Sequence, residues 1–197
     1  MRSASKLGIS SLFCLTQVLL GESSVGKSSL VARFVSGAFS NDEPPTIGAA
    51  FYRCNLELDD KTVEFDTAGQ EQYSCLTPVY YRDADSALVV YDITKYDSFE
   101  RAKRWVRELR SEVSDDVVVC VVGNKLDLEK SRTVPCHDGL AFAEENNCLF
   151  KEVSALKGEN VLEAFRAIGD ALPEKPPVVD VLSPNLELLP PEKSCSC

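Results

Sequence analysis

The sequence predicts an α/β domain in which a mostly parallel sheet is covered by helices on both faces. Three observations lead to this class. Short apolar runs alternate with longer amphipathic stretches, as in proteins whose parallel strands are joined by helices. Runs such as 117–122 are apolar at every position, which is typical of strands buried on both faces. A glycine-rich pattern at 21–28, GESSVGKS, joins the first apolar run to the first amphipathic stretch, so it connects a strand to a helix.

The individual elements follow in chain order. The apolar runs predict strands at 18–20, 56–58, 87–91 and 117–122, and the amphipathic stretches predict helices at 27–35, 98–113, 136–145 and 161–172. In the second helix, apolar residues recur at spacings of three, four and seven, which turns one stripe toward the core. These residues are Ala102, Trp105, Val106 and Leu109. Trp105 is therefore interpreted as a core residue rather than one that stacks on a cofactor.

The length of 197 residues fits one folded domain with tails. We place that domain at 15–173, after an N-terminal extension of residues 1–14. The extension carries Arg2 and Lys6 ahead of an apolar stretch, as a signal peptide does. Polar residues interrupt that stretch, however, and its end must form the strand before the glycine-rich loop. The strand is therefore favoured over a signal peptide. Residues 174–197 are rich in proline and are predicted to form an extended tail.

The net charge indicates which classes of partner to expect, and the cysteine content indicates the cellular compartment. The formal net charge of −10 argues against a nucleic-acid partner, because binding to a phosphate backbone needs a basic surface. Protein partners are expected instead. Six of the eight cysteines are scattered without a CxxC pair, which indicates reduced thiols in a cytosolic compartment. No run of 18 apolar residues predicts a membrane-spanning helix.

The glycine-rich pattern is a phosphate-binding loop. Gly21 and Gly26 let successive backbone N–H groups wrap a polyphosphate. Lys27 supplies a cation to the β and γ phosphates, and Ser28 offers a hydroxyl to Mg²⁺. The predicted phosphate-binding residues here are Ser23, Ser24, Val25, Gly26, Lys27, Ser28 and Ser29. The loop alone leaves an ATPase or a nucleotide kinase open.

The segment Asn124-Lys125-Leu126-Asp127 selects the base. It follows directly on the strand predicted at 117–122, where the end of a parallel strand can meet a ligand. The carboxylate of Asp127 can accept hydrogen bonds from N1–H and the exocyclic amine of guanine, whereas adenine would leave it unpaired. The sequence therefore predicts a guanine nucleotide, held by Asn124, Lys125 and Asp127.

Two further segments complete the predicted site. Asp66 is positioned to hold Mg²⁺ through water, and Gly69 lets a backbone N–H approach the γ-phosphate. Gln70 can orient the attacking water and is the predicted catalytic residue. Thr46 offers a second Mg²⁺ ligand and a phosphate contact when the γ-phosphate is present.

Taken in order, the motifs resemble the Ras superfamily and specifically Rab GTPases, most closely the endosomal branch. They are GESSVGKSSL, PTIGAAF, DTAGQE, YYRDAD, VVYDIT, GNKLDL and SALKGENV, and the resemblance runs from about residue 15 to 173. It implies a six-stranded Ras-like fold, bound GTP or GDP with Mg²⁺, and a switch that regulates vesicular or endosomal membrane traffic. It also implies that Ser154, Ala155 and Leu156 contact guanine, mainly through backbone N–H groups.

The tail and the effector surface are also interpreted through this resemblance. Cys195 and Cys197 match a CxC ending that receives two geranylgeranyl groups, and two chains are needed because one gives marginal membrane binding. The protein is then expected on the cytoplasmic face of endosomal or other vesicular membranes, with a cytosolic pool. The implied partners are an exchange factor, a GTPase-activating protein, a GDP-dissociation inhibitor, the Rab prenylation machinery and effectors. Effectors would read Ile47, Phe51 and Tyr80.

The sequence departs from the Rab pattern between Asp60 and Asp66, where three residues, including a tryptophan, are missing. Losing an odd number reverses the faces of a strand, so Glu64 would point into the core unless a bulge absorbs the change. The alternative function is therefore a hydrolysis-impaired relative that holds GTP or GDP as a binding module. In either case hydrolysis is expected to be slow, because no motif places an arginine at the γ-phosphate and an activating protein must supply one.

Overall fold

The computed structural model describes residues 13–39, 50–53, 61–67, 84–112 and 117–173, and for 13–16, 50–53 and 61–67 it describes the backbone alone. The strands in this part of the chain are β1 (Phe13–Leu20), β2 (Ala50–Arg53), β3 (Lys61–Thr67), β4 (Ser86–Asp92), β5 (Val118–Asn124) and β6 (Leu149–Glu152). The helices are α1 (Lys27–Ser36), α2 (Tyr96–Glu112), α3 (Cys136–Glu145) and α4 (Val161–Ala171), with a 3₁₀ helix at Leu126–Ser131.

The strands form a single sheet in the order β2-β3-β1-β4-β5-β6. Every neighbouring pair is parallel except β2 and β3, which are antiparallel. The central strand β4 is buried along its whole length, as the continuous apolar runs predict. The α/β class with a mostly parallel sheet is therefore confirmed.

Two apolar cores lie on opposite faces of the sheet. Alternate residues of β4 divide between them, so that Leu88 and Val90 join one core while Val89 and Tyr91 join the other. This division follows from the two-residue period of a strand. Helices α1 and α4 cover the first core, and α2 and α3 cover the second. Trp105 packs against the second core, which agrees with its interpretation as a core residue.

The predicted elements differ from the observed ones mainly at their ends. Strand β1 already begins at Phe13, ahead of the predicted 18–20, and α2 begins at Tyr96 rather than 98. The strand predicted at 56–58 lies outside the described residues. The apolar runs do not predict strands β2 and β6. The four residues of β6 are half-buried or exposed and form no apolar run. None of the helices in the described ranges is both long and apolar enough to cross a membrane.

The shortened segment before Asp66 forms the strand β3. It pairs with β1 in unbroken register from Phe13 opposite Lys61 to Leu19 opposite Thr67. On its other side it pairs with β2 from Ala50 opposite Thr67 to Arg53 opposite Glu64. Over residues 61–67, the part of this segment that the structure describes, the pairing contains no bulge. Within β3, therefore, no bulge absorbs the change of register that the resemblance to Rab proteins predicts.

Candidate functional site

Three parallel strands bring the predicted phosphate-binding and base-binding residues to one edge of the sheet. Strands β1, β4 and β5 end at Leu20, Asp92 and Asn124, respectively. The phosphate loop follows β1, and the base-selecting segment follows β5. Ligands of open α/β sheets bind at this edge, beyond the carboxyl ends of the strands.

The phosphate loop is held close to the neighbouring strands at two glycines. Gly21 has φ 145° and Gly26 has φ 96°, and both values lie in the region that favours glycine. A Cβ on Gly21 would lie 2.2 Å from the carbonyl oxygen of Val90, and one on Gly26 would lie 2.4 Å from Nδ2 of Asn124. Both positions therefore require glycine for space as well as for backbone conformation.

The loop leads into the amino end of α1. Gly26 is the N-cap residue and supplies no side-chain hydrogen bond, and the first helical bond runs from Leu30 N–H to the Gly26 carbonyl at 2.9 Å. The backbone N–H groups ahead of that bond belong to the first turn and point out of the amino end of the helix. Together with the helix dipole they favour an anionic group in front of α1.

Lys27 is the first residue of α1, and its side chain reaches back into the loop. Its Nζ donates to the carbonyls of Gly21 and Glu22, both at 2.8 Å. Burial lowers the pKa of Lys27 to about 8, although the nearby charge of Glu22 raises it. A buried ammonium is costly without an opposite charge, so the loop presents a cation that an anionic ligand would stabilise.

Asn124 connects the phosphate loop to the base side of the site. Its Nδ2 donates to the Val25 carbonyl at 2.8 Å, and its Oδ1 accepts from the Ala155 N–H at 3.2 Å. The side chain is buried, with 1% of its surface exposed. The amide therefore bonds to protein groups at both ends and links the two loops.

Asp127 is held by Ser154, which follows β6. The Ser154 hydroxyl donates to Oδ1 of Asp127 and accepts from the Lys157 N–H at 3.1 Å. Ser154 is fully buried, and its own N–H donates to the Glu159 carbonyl at 2.9 Å. One carboxylate oxygen of Asp127 is thus fixed in place. The other oxygen has no hydrogen-bond partner among the described residues, so it can meet the donors of a base.

Lys125 is oriented by Asp92, a residue that the sequence analysis did not place in the site. Lys125 has φ 70°, and its Nζ lies 2.7 Å from Oδ2 of Asp92. The other oxygen of Asp92 accepts from the backbone N–H and the hydroxyl of Thr94, at 2.9 and 2.7 Å. Burial raises the pKa of Asp92, but the bonds from Lys125 and Thr94 outweigh it and the net pKa is below the usual range. An acidic residue at the end of an otherwise apolar strand could have indicated this role.

Arg33 of α1 is a second residue that sequence reasoning missed. Its Nε donates to the Ala155 carbonyl at 2.8 Å, and its Nη2 donates to the Leu156 carbonyl. The side chain of Leu156 is exposed. The backbone of the Ser154–Leu156 segment is therefore tied to α1, although its residues are distant from α1 in sequence.

The remaining predicted residues are described in part or not at all. Asp66 is placed by its backbone one residue before the end of β3, opposite Val18, and Phe51 pairs with Asp66 from β2. The side chain of Ser28 lies in the first turn of α1, so Ser28 and Asp66 belong to adjacent elements at one edge. Hydroxyl and carboxylate oxygens are the donors that Mg²⁺ prefers. Outside the described residues lie Thr46, Ile47, Gly69, Gln70, Tyr80, Cys195 and Cys197.

The residues at this edge of the sheet lie within the part of the chain that matches a known protein family. Residues 16–174 match the sequence model of one family, the Ras family. The matched range contains the phosphate loop, the base-selecting segment and Ser154–Leu156, and it leaves 1–15 and 175–197 outside.

Proposed function

Since the chain belongs to the Ras family, it is a small GTPase switch, and we propose that it is a Rab-type switch that regulates vesicular or endosomal membrane traffic. Members of the family bind guanine nucleotides with Mg²⁺ and interact with exchange factors, activating proteins and effectors. The Rab assignment is supported by the order of the motifs and by the CxC ending. The observation that best supports nucleotide binding is the Asn124 bridge between the phosphate loop and the Ala155 backbone.

The nucleotide is proposed to lie across this bridge. Its phosphates would accept from the N–H groups of residues 23–29 and from Lys27. Its base would donate to the second oxygen of Asp127, while the Ser154–Leu156 backbone and Lys125 contact its other edges. The arrangement fits a charged, planar ligand, because the loop offers N–H donors and a buried cation and the base side offers a fixed carboxylate.

Mg²⁺ is proposed to be held by the oxygens of Ser28, Thr46 and Asp66, where it would neutralise phosphate charge. Gln70 would orient the attacking water, and Gly69 would approach the γ-phosphate through its N–H. Hydrolysis is expected to be slow until an activating protein supplies an arginine.

The hydrolysis-impaired binding module is the second candidate function. It is favoured by the three residues missing between Asp60 and Asp66, because they shorten the segment that leads to Gln70. The unbroken pairing of β3 with β1 favours the switch, because it places the Asp66 backbone beside the end of β1. Both candidates bind the nucleotide, so a measurement of GTP hydrolysis distinguishes the switch from the binding module.

The membrane part of the proposal is tested with vesicles. The chain is geranylgeranylated and mixed with neutral phosphatidylcholine vesicles, and the bound fraction is measured by flotation. We expect stable binding with Cys195 and Cys197 intact and weak, reversible binding for Cys195→Ser, since one chain gives marginal affinity. The double variant Cys195→Ser with Cys197→Ser should stay in solution. Flotation of the double variant at the wild-type level would contradict the proposed anchor.

A further inference from the structure

Arg33 joins the helix that follows the phosphate loop to the loop that follows β6. Its guanidinium reaches three backbone carbonyls, those of Ala155 at 2.8 Å, Gly37 at 2.7 Å, and Leu156. The bonds to Ala155 and Leu156 span 122 and 123 residues of sequence. Local stabilisation of α1 does not require these long-range bonds, so they serve a contact between two parts of the fold.

The position of the Arg33 side chain is fixed by its surroundings. The carbonyl of Arg33 accepts from the N–H of Gly37, the left-handed C-cap of α1, at 3.0 Å. The guanidinium carbon lies 5.9 Å from the centre of the Phe39 ring. Gly158, at φ 77°, faces the stem, and a Cβ there would lie 3.4 Å from Cδ of Arg33. These contacts hold the side chain in one conformation, which reduces the entropy lost when it acts.

The bond to Leu156 continues as a chain of hydrogen bonds that ends at Asp127. The Leu156 carbonyl shares a planar peptide unit with the Lys157 N–H. That N–H donates to the Ser154 hydroxyl at 3.1 Å, and the same hydroxyl donates to Oδ1 of Asp127. A rotation of the peptide between 156 and 157 would therefore move the group that holds Asp127.

We propose that Arg33 is a positioning residue for guanine recognition, which acts through the peptide between 156 and 157 and through Ser154 on the carboxylate of Asp127. The inference rests on the proposed placement of the base at Asp127. It assigns α1 two roles, because the helix receives the phosphates at its amino end and orders the base contact from its carboxyl end.

Arg110 of α2 provides a matched control. It also donates from a helix to two loop carbonyls, those of Val117 and Asn147, each at 3.1 Å. These carbonyls precede β5 and β6, so they lie at the opposite edge of the sheet from the site. Substitution of either arginine by alanine removes hydrogen bonds from a helix to loop carbonyls. Of the two substitutions, only that of Arg33 is expected to affect recognition of the base.

The test compares the release of GDP and IDP from the full chain in the presence of Mg²⁺. IDP lacks the exocyclic amine, so the preference for GDP measures how well a carboxylate meets that amine. For Arg33→Ala we expect GDP release to accelerate by about tenfold, the scale of one hydrogen bond, with a smaller change for IDP. Arg33→Lys, which retains one cation and the stem, should recover part of the preference. Arg110→Ala should change both rates by less than about twofold.

A double variant tests the chain of bonds itself. Ser154→Ala removes the next link, so Arg33→Ala should add little to its effect if both act on Asp127 by one route. Fully additive effects would overturn the proposal, as would equal acceleration of GDP and IDP release by Arg33→Ala or no acceleration at all. If the wild-type chain does not prefer GDP over ADP, the proposed nucleotide site itself fails, and that result is distinguishable from a failure of Arg33.

Discussion

The ammonium group of Lys27 is a buried cation that contacts two loop carbonyls. Burial lowers its pKa from 10.5 to about 8, and an anionic phosphate would raise it again. The pKa in the bound state then exceeds that in the free state, so binding takes up a proton between the two values. Affinity should be fully present below the free-state pKa and be lost as the pH rises above it.

We therefore expect the affinity for GDP to be constant just above neutral pH and to fall above about pH 8, by at most about tenfold per pH unit. Calorimetry in buffers of different ionisation enthalpy measures both the affinity and the proton uptake. Phosphate itself titrates near pH 6, so it does not contribute to this window. Unchanged affinity up to about pH 9.5 would mean that Lys27 is not the group that meets the phosphates.

Asp127 is the residue on which the choice of base depends. Asp127→Asn exchanges an acceptor pair for one acceptor and one donor, so the N1–H and amine of guanine lose a charged partner. We expect GDP affinity to fall by about a hundredfold or more and ADP affinity to change by less than about threefold. Competition binding with both nucleotides measures the ratio. Asp170→Asn, an exposed change on α4, is the control. An unchanged GDP to ADP ratio would favour an ATP-using enzyme of the same loop class.

At the scale of elements, the helices α3 and α4 each contain one glycine, and the two glycines have opposite surroundings. A Cβ on Gly139 would lie 2.7 Å from a ring carbon of Phe150 and from the hydroxyl of Tyr91, whereas one on Gly169 would meet nothing within 4 Å. Alanine is favoured over glycine in a helix by about 1 kcal/mol. Packing around each glycine therefore decides whether its substitution by alanine raises or lowers the free energy of unfolding.

We expect Gly139→Ala to lower the free energy of unfolding by about 1–3 kcal/mol, because the packed rings must move. Gly169→Ala should raise it by up to about 1 kcal/mol. Urea unfolding of both variants measures the difference, and each variant is the control for the other. Equal stabilisation by both would mean that α3 does not pack on Tyr91 and Phe150 as described.

The difference between local sequence patterns and contacts with distant residues explains how much of the structure could be predicted from the sequence. Strands β4 and β5 were predicted to within two residues, since burial on both faces leaves an apolar run. Strand β6 was missed, because an edge strand of four partly exposed residues leaves no such pattern. In the site, Lys27 and Asp127 stand in recognisable motifs. Arg33 acts through carbonyls more than a hundred residues away, and backbone carbonyls carry no sequence pattern.

At the scale of the whole molecule, turnover depends on how the sheet joins the two halves of the site. Strand β3 pairs with β1 without interruption and brings the backbone of Asp66 beside the end of β1. The phosphate loop leaves that same end. If Gln70 continues from this position to the γ-phosphate, a segment shorter than the Rab pattern would still serve the site, because the backbone of Asp66 keeps its place beside β1.

We therefore expect slow but measurable hydrolysis of GTP by the wild-type chain. In a single-turnover assay of bound GTP, Gln70→Leu should reduce the rate by about tenfold or more, because the attacking water loses its orienting group. GTP binding should be retained, since Gln70 is not among the residues proposed to hold the base. Asp170→Asn should hydrolyse at the wild-type rate. Equal rates for wild type and Gln70→Leu, with GTP bound by both, would identify the chain as a binding module whose shortened segment no longer brings Gln70 to the phosphate.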